Sequence, residues 1–223
     1  MKFEVLYQDE DVVAVSKPGG LLVHRSSQSS DRIFLLQELR NQLGRHLYPV
    51  HRLDRPTSGV ISFAFSSEAA RDLQASMTSK ESKKTYRALV RGEAPEKGEM
   101  TRPLRNDRGE PQPCFTSFTR IAYWSRSSLL RVQITTGRRH QIRRHMAHLA
   151  HHVIGDTTYG KGRINRAMRA DYDLPRLFLH AQRLELIPFR NNQGLDIRAP
   201  LFPDLREFLL RLPDSDPELI GTL

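Results

Sequence analysis

Cys114 is the only cysteine in the 223 residues, so the chain has no intrachain disulfide and no zinc site built on paired thiolates. A long hydrophobic run is also missing, which argues against a membrane-spanning helix. The opening MKFEVLYQDEDVVAV carries acids where a secretory signal needs an unbroken apolar segment. No internal repeat is evident. Acidic side chains are the minority, 25 against 35 basic ones, and three of them, Asp214, Asp216 and Glu218, lie beyond Pro213. The body before that proline therefore carries +13, more than the +10 of the whole chain. Together these absences predict a soluble, cytoplasmic protein with no membrane association.

Arginine is what the sequence has in quantity, outnumbering lysine 28 to 7. A planar fork of donors suits phosphate or carboxylate better than a point charge does. A polyanionic partner follows, with nucleic acid first among the candidates, against the plain alternative of a merely soluble basic protein. With 38% apolar residues the chain can bury one large core or two joined lobes, but it is too short for two independent enzymes.

Residues 3 to 15 hold two alternating patterns split by Gln8-Asp9-Glu10-Asp11, an opening hairpin that Lys17-Pro18-Gly19-Gly20 ends. Asp31 is the expected N-cap of a helix on which Leu35, Leu36, Leu39 and Leu43 recur until Gly44. The Ile61, Phe63, Phe65 alternation marks a strand and places HRLDRPTSG, His51 to Gly59, in the loop leading into it. Ser67 is the expected cap of a helix to about Lys80 with Ala70, Leu73 and Met77 on one face. KKTYRALVRG follows as a strand with Tyr86, Ala88 and Val90 on one side. Residues 100 to 113 read as a loop or flap. Leu130, Val132 and Ile134 form a strand, and Ile142, Met146 and Leu149 form the buried stripe of a helix. Residues 160 to 173 read as an Arg-rich connector before a strand at 177 to 187, and Leu205, Phe208 and Leu209 suggest a short helix. Short strands interleaved irregularly with helices predict an α+β protein with a largely antiparallel sheet.

Two segments are dense in chemistry. In His51-Arg52-Leu53-Asp54-Arg55-Pro56-Thr57-Ser58-Gly59, one acid lies among two arginines and a histidine, surroundings that keep a carboxylate ionised. The ordinary alternative is a turn aspartate in a surface ion pair, which local sequence alone favours. Thr136-Gly137-Arg138-Arg139-His140-Gln141-Ile142-Arg143-Arg144-His145 supplies cations to line a nucleic-acid groove, one of which could reach the acid.

HRLD followed by TSG, and TGR followed by HQIR, occur with Lys17-Pro18-Gly19, KKTYRALVRG, Gly155-Asp156-Thr157-Thr158-Tyr159-Gly160 and Leu179-His180-Ala181. At these places, in the same order over nearly the whole chain, the sequence resembles the RluA-type family of pseudouridine synthases. Arg55-Pro56 after the aspartate, the doubled arginines and His148 are most similar to the tRNA pseudouridine synthase C branch. Arg55-Pro56 stands where the commoner pattern has a lysine and an acid, a difference that bears on substrate choice.

The resemblance implies a pseudouridine synthase fold: a mixed, mostly antiparallel sheet with helices and loops around an RNA cleft. It implies one catalytic domain over 1–212, a Pro-containing acidic tail over 213–223, and no appended RNA-binding domain. It implies an isomerase without metal, nucleotide or redox cofactor. Asp54 would be the catalytic acid, Tyr86 would pack against the target base, and Arg143 would pair with Asp54. Arg52 would fill the gap left by a flipped nucleotide, and Arg55, Arg138, Arg139, Arg144 and Lys84 would meet RNA. The expected substrate is tRNA, at a T-stem uridine at tRNA position 65, with ribosomal RNA as the alternative and no protein partner implied. Uridine must lose its N-glycosidic bond, rotate and reconnect through C5. A carboxylate can serve as nucleophile at C1′ or as base at C2′, and the sequence leaves both open.

His145, His148 and His152 share a possible helix face, but neighbouring arginines oppose a zinc ion, and a solvated or phosphate-facing set is expected. His51 and His180 are expected to order loops through hydrogen bonds. Lys17 is read as either cleft lining or a surface charge. Two rival functions share the basic body: a non-catalytic RNA-binding assembly factor, which has little use for an acid in a phosphate groove, and a glycosidase or nucleoside hydrolase. The latter usually needs two cooperating carboxylates or a metal, whereas this sequence offers one standout acid.

Overall fold

The computed structural model describes residues 1–25, 31–190 and 194–223. The first elements are β1 (Val5–Gln8), β2 (Val12–Lys17), α1 (Leu35–Leu43), β3 (Tyr48–Pro49), β4 (Ser58–Ala64) and α2 (Ser67–Thr78). Next come β5 (Lys83–Arg91), β6 (Lys97–Met100), β7 (Leu104–Arg105), β8 (Pro111–Gln112), β9 (Thr116–Trp124) and β10 (Ser127–Ile134). The remainder is α3 (Gln141–His148), α4 (Gly162–Tyr172), β11 (Leu179–Leu186), β12 (Leu195–Arg198), α5 (Pro203–Leu210) and α6 (Pro217–Gly221). The fold is α+β with mixed, mostly antiparallel strand pairing, as the irregular alternation of elements predicts.

The chain forms two compact units, Met1–Lys84 with Ala181–Ala199, and Thr85–His180 with Pro200–Leu223. In the first, the strand order is β1, β2, β4, β11, with β12 on β11 and β3 on β4. β1 and β2 are the expected hairpin, turned by Asp9, whose carboxylate accepts the Asp11 and Val12 amides. β4 is buried along its whole length, so its apolar residues form a run where the sequence suggested simple alternation. Ala69, Leu73 and Met77 of α2 pack on Val12, Ala14, Val60, Ala64, Leu184 and Leu186. Burying a leucine such as Leu73 contributes about 2 kcal/mol, and this face holds β4 and the loop before it. Gly59 has φ +111° and is so close to the Ala181 carbonyl that a Cβ would stand 2.1 Å from its oxygen. No side chain fits there, which explains glycine in the TSG triplet.

Strand order in the second unit is β5, β10, β9, β6, with β7 and β8 as a separate hairpin. One sheet face packs Ala88, Val90, Leu130, Val132 and Ile134 against Ile142 and Met146 of α3, with Tyr86 at the margin. The other packs Leu89, Trp124 and Leu129 against Met168 of α4, Leu205 and Phe208 of α5, and Ile220 beside Leu223.

Several expectations shift. α1 begins at Leu35, capped by Phe34 without a side-chain bond; the Leu35 and Leu36 amides donate to the Leu22 and Val23 carbonyls, and Asp31 is paired with Arg55. Ser66, one residue before the expected cap, accepts the Ala69 amide at the start of α2. The 160–173 connector is helix α4, whose polar residues conceal an apolar contact through Met168. Strand β9 and the β7–β8 hairpin inside the 100–113 loop lacked a readable period.

Candidate active site

The Asp54 segment is a loop between β3 and β4, and its backbone is fixed from several sides. The Thr57 amide donates to the Asp54 carbonyl at 3.0 Å, closing a tight turn around Arg55-Pro56. The Arg55 carbonyl accepts the Gly20 amide at 2.8 Å, while Arg55 Nε returns a bond to the Gly20 carbonyl at 3.0 Å. Arg55 also pairs with Asp31 at 3.0 Å. Lys17 is wholly buried: its ammonium donates to the carbonyls of Leu21 at 2.7 Å, Pro18 at 2.9 Å and Arg55 at 3.2 Å. This settles the ambiguity over Lys17. It is neither cleft lining nor surface charge, but a buried pin joining the KPGG turn to the Asp54 loop.

His51 orders the other end. Its Nε2 accepts the Ser62 amide at 3.0 Å and lies 3.1 Å from the Ser62 hydroxyl, so that nitrogen carries no proton. Burial first, then the Lys84 charge, push its pKa down to about 3. It is a neutral hydrogen-bonding brace, as expected. Leu53 is buried beneath the loop, Asp54 is half-buried, and Arg52 and Arg55 are exposed. Lys84 is half-buried and its pKa is lowered by that burial.

In the second unit, the turn into α3 is organised by Gln141, which is 3% exposed. Its amide oxygen accepts the Thr136 hydroxyl and the Arg138 amide, and its NH2 donates to the Phe115 carbonyl and Thr116 hydroxyl. Two residues on, Arg143 is held by a buried fork: Nε to Asp156 Oδ2 at 2.8 Å and Nη2 to Asp156 Oδ1 at 2.9 Å. Nη2 also donates to the Thr158 hydroxyl at 3.1 Å, and the guanidinium lies 5.3 Å from the Tyr159 ring centre. Asp156 Oδ1 also accepts the amides of Thr158 and Tyr159. Burial works to raise the Asp156 pKa, but the Arg143 bonds and these amides outweigh it, and the carboxyl sits below its usual range. Gly155, with φ +81°, and Gly160 let the GDTTYG segment wrap this close, since a Cβ at either would stand near 2 Å from a backbone oxygen.

Asp156 is the site residue that sequence reasoning missed. Its motif was visible, but nothing in it said which cation the acid holds. The remaining basic candidates lean on the 100–113 segment: Arg139 pairs with Asp107, Arg138 donates to the Pro113 carbonyl at 3.2 Å, and Arg144 to the Arg105 carbonyl at 3.1 Å. Tyr86 is half-buried on the β5 face that carries Ala88 and Val90. The expected solvated histidine set fails at His145, which is fully buried, bonded to the Thr116 hydroxyl at 2.9 Å and the Arg102 carbonyl at 3.0 Å. It follows Ile142 by three residues, a little under one helical turn, and so points inward. Among the described residues no helix is long and apolar enough to cross a membrane.

Residues 11–148 match the family model described as RNA pseudouridylate synthase. A protein of Vibrio vulnificus called tRNA pseudouridine synthase C is 42% identical over 219 residues, covering 88% of this chain and 89% of its own. One of the same name from Vibrio cholerae is 41% identical, covering 89% and 91%. The fold is similar to human RNA Pseudouridylate Synthase Domain Containing 4, with TM-score 0.77, 21% identity and coverage of 96% and 95%. Human RNA Pseudouridylate Synthase Domain Containing 1 gives TM-score 0.76, 23% identity and coverage of 99% and 94%. A polar loop built around one aspartate and a rigidly held arginine thus stand in a chain that belongs to the RNA pseudouridylate synthase family, of RluA type, whose members are isomerases.

Proposed function

We propose that this pseudouridine synthase acts on tRNA, at the T-stem uridine at tRNA position 65, with Asp54 as its catalytic carboxylate. The observation that carries the tRNA reading is the pair of Vibrio relatives named tRNA pseudouridine synthase C, alike over about nine-tenths of both chains. In the proposed chemistry the C1′–N1 bond breaks, the uracil turns, a C1′–C5 bond forms, and the C5 proton leaves as N1 gains one. Asp54 acts on the ribose, and the step needs an oxygen anion at one point. Arg143 pairs with Asp54 and keeps it ionised. The fork from Asp156 supports that role by fixing the guanidinium plane. Tyr86 packs on the flipped uracil. Arg52, exposed on the Asp54 loop, fills the vacated stack, offsetting an unstacking cost of about a few kcal/mol. Arg55, Arg138, Arg139, Arg144 and Lys84 meet phosphates, and the enzyme works in the cytoplasm.

The test is to offer unmodified tRNA and an equally long ribosomal hairpin at one salt concentration and to map pseudouridine by mass. The proposal expects modification of the T-stem uridine and loss of that site in a deletion strain. Efficient use of the hairpin with inert tRNA would transfer the enzyme to ribosomal RNA, and RNA binding without isomerisation would favour the assembly-factor reading.

A further inference from the structure

A half-open cavity of about 840 Å³ lies in the second unit, where the end of β5, the β9–β10 turn and one face of α4 converge. It is lined by three exposed arginines, one from each element: Arg91, Arg126 and Arg163. Among the described residues none of the three guanidiniums has an ion pair or hydrogen bond, and the acid in the lining, Asp171, does not neutralise them. Tyr123, 43% exposed, and Tyr172 stand in the same wall. Ser127 lines it too; that residue is 1% exposed, and its hydroxyl has no partner among the described residues.

The turn that presents Arg126 is tied to the rest of the unit by hydrogen bonds. Ser125 and Arg126 have φ +48° and +59°, a conformation in which a hairpin turn prefers asparagine and glycine. It is fastened by Ser125 Oγ to the Pro213 carbonyl at 2.8 Å and by the Gly92 amide to the Arg126 carbonyl at 2.7 Å. Arg91 and Tyr86 are five residues apart on β5, an odd spacing that turns their side chains to opposite faces of the strand, so one nucleotide cannot fill this cavity and also meet Tyr86.

We infer that this groove is a second RNA contact, which takes a nucleotide outside the modified one: flanking phosphates on Arg91, Arg126 and Arg163, and the base against Tyr123. Guanidinium forks paired with an exposed aromatic face are the chemistry of phosphate and base together. The inference rests on the tRNA reading and names a contact beyond it.

The test compares wild type with the Arg126→Ala/Arg163→Ala double variant and with Tyr123→Ala on unmodified tRNA. Expected are an affinity loss of about tenfold for the double variant and a log K against log salt slope shallower by about 2, one for each phosphate contact. The rate at saturating tRNA stays at the wild-type value, so KM rises and kcat does not. Ultraviolet cross-linking of the wild-type complex, mapped by mass, places RNA adducts on Tyr123 or Tyr172, a readout independent of variant folding. Unchanged affinity and slope, with no adduct at either tyrosine while pseudouridine still forms, overturns the groove and leaves the tRNA reading intact. Binding of free UMP in the groove with tRNA affinity unaltered in both variants also overturns it. A wild-type protein that modifies only ribosomal RNA fails the tRNA reading separately.

Discussion

Asp156→Asn changes one atom and removes the charge that holds Arg143. The Arg143 side chain is 5% exposed and that of Asp156 1% exposed, so water cannot replace the lost partner. Asparagine can still accept the Thr158 and Tyr159 amides through its oxygen. Its NH2 would then face Arg143 Nε, setting a donor against a donor. Losing one side of a buried, forked ion pair costs up to about 3 to 5 kcal/mol. Urea unfolding should show a loss of that size. The guanidinium, which loses the Nε arm of its fork, should also tilt, and misplacement of about 1 Å lowers a rate by roughly 10²-fold. Single-turnover pseudouridine formation at saturating tRNA should fall by that order with RNA affinity little changed. A variant with wild-type stability and rate would refute the claim that Asp156 positions Arg143.

Lys17→Met withdraws the ammonium from three carbonyls and should destabilise the chain by about 2 to 4 kcal/mol in urea, one or more buried acceptors being stranded; an unmoved midpoint would show that the pin is dispensable. His51, with its folded pKa at about 3 against 6.5, binds its proton more readily when unfolded. Its share of stability is therefore complete above about pH 6.5 and falls by up to about 1.4 kcal/mol per unit as pH drops toward 3. His51→Gln should flatten the acid limb of the stability curve by up to one proton, and an identical slope in both proteins would place the His51 proton elsewhere.

Much of this was legible in the sequence, for reasons that differ by element. The opening hairpin, β5, β10 and α3 carry strong apolar periods, and the structure keeps them; β4 is kept as a strand but buried on both faces. β9 was missed because TSFTRIAYW mixes polar and apolar residues on a strand that is paired on both sides yet only half-buried through its middle. α4 was missed because charge dominates GRINRAMRADY, and its contact with the core rests on few side chains. Asp54 was legible as an acid among cations, but the need for glycine at Gly59 and the place of Lys17 were not. A lysine buried on backbone carbonyls leaves no pattern, since its partners are atoms every residue has. Asp156 escaped for a related reason: the arginine it holds is 13 residues away, and only the fold brings the two together.

Asp54→Asn tests the central claim most directly. The proposed step needs an oxygen anion at this position, and the amide is nearly isosteric. Purified variant and wild type should be incubated with unmodified tRNA, with pseudouridine counted by mass and tRNA affinity measured alongside. The account predicts tRNA binding within a few-fold of wild type and no pseudouridine above background. Sustained turnover by a variant preparation free of wild-type enzyme would contradict it.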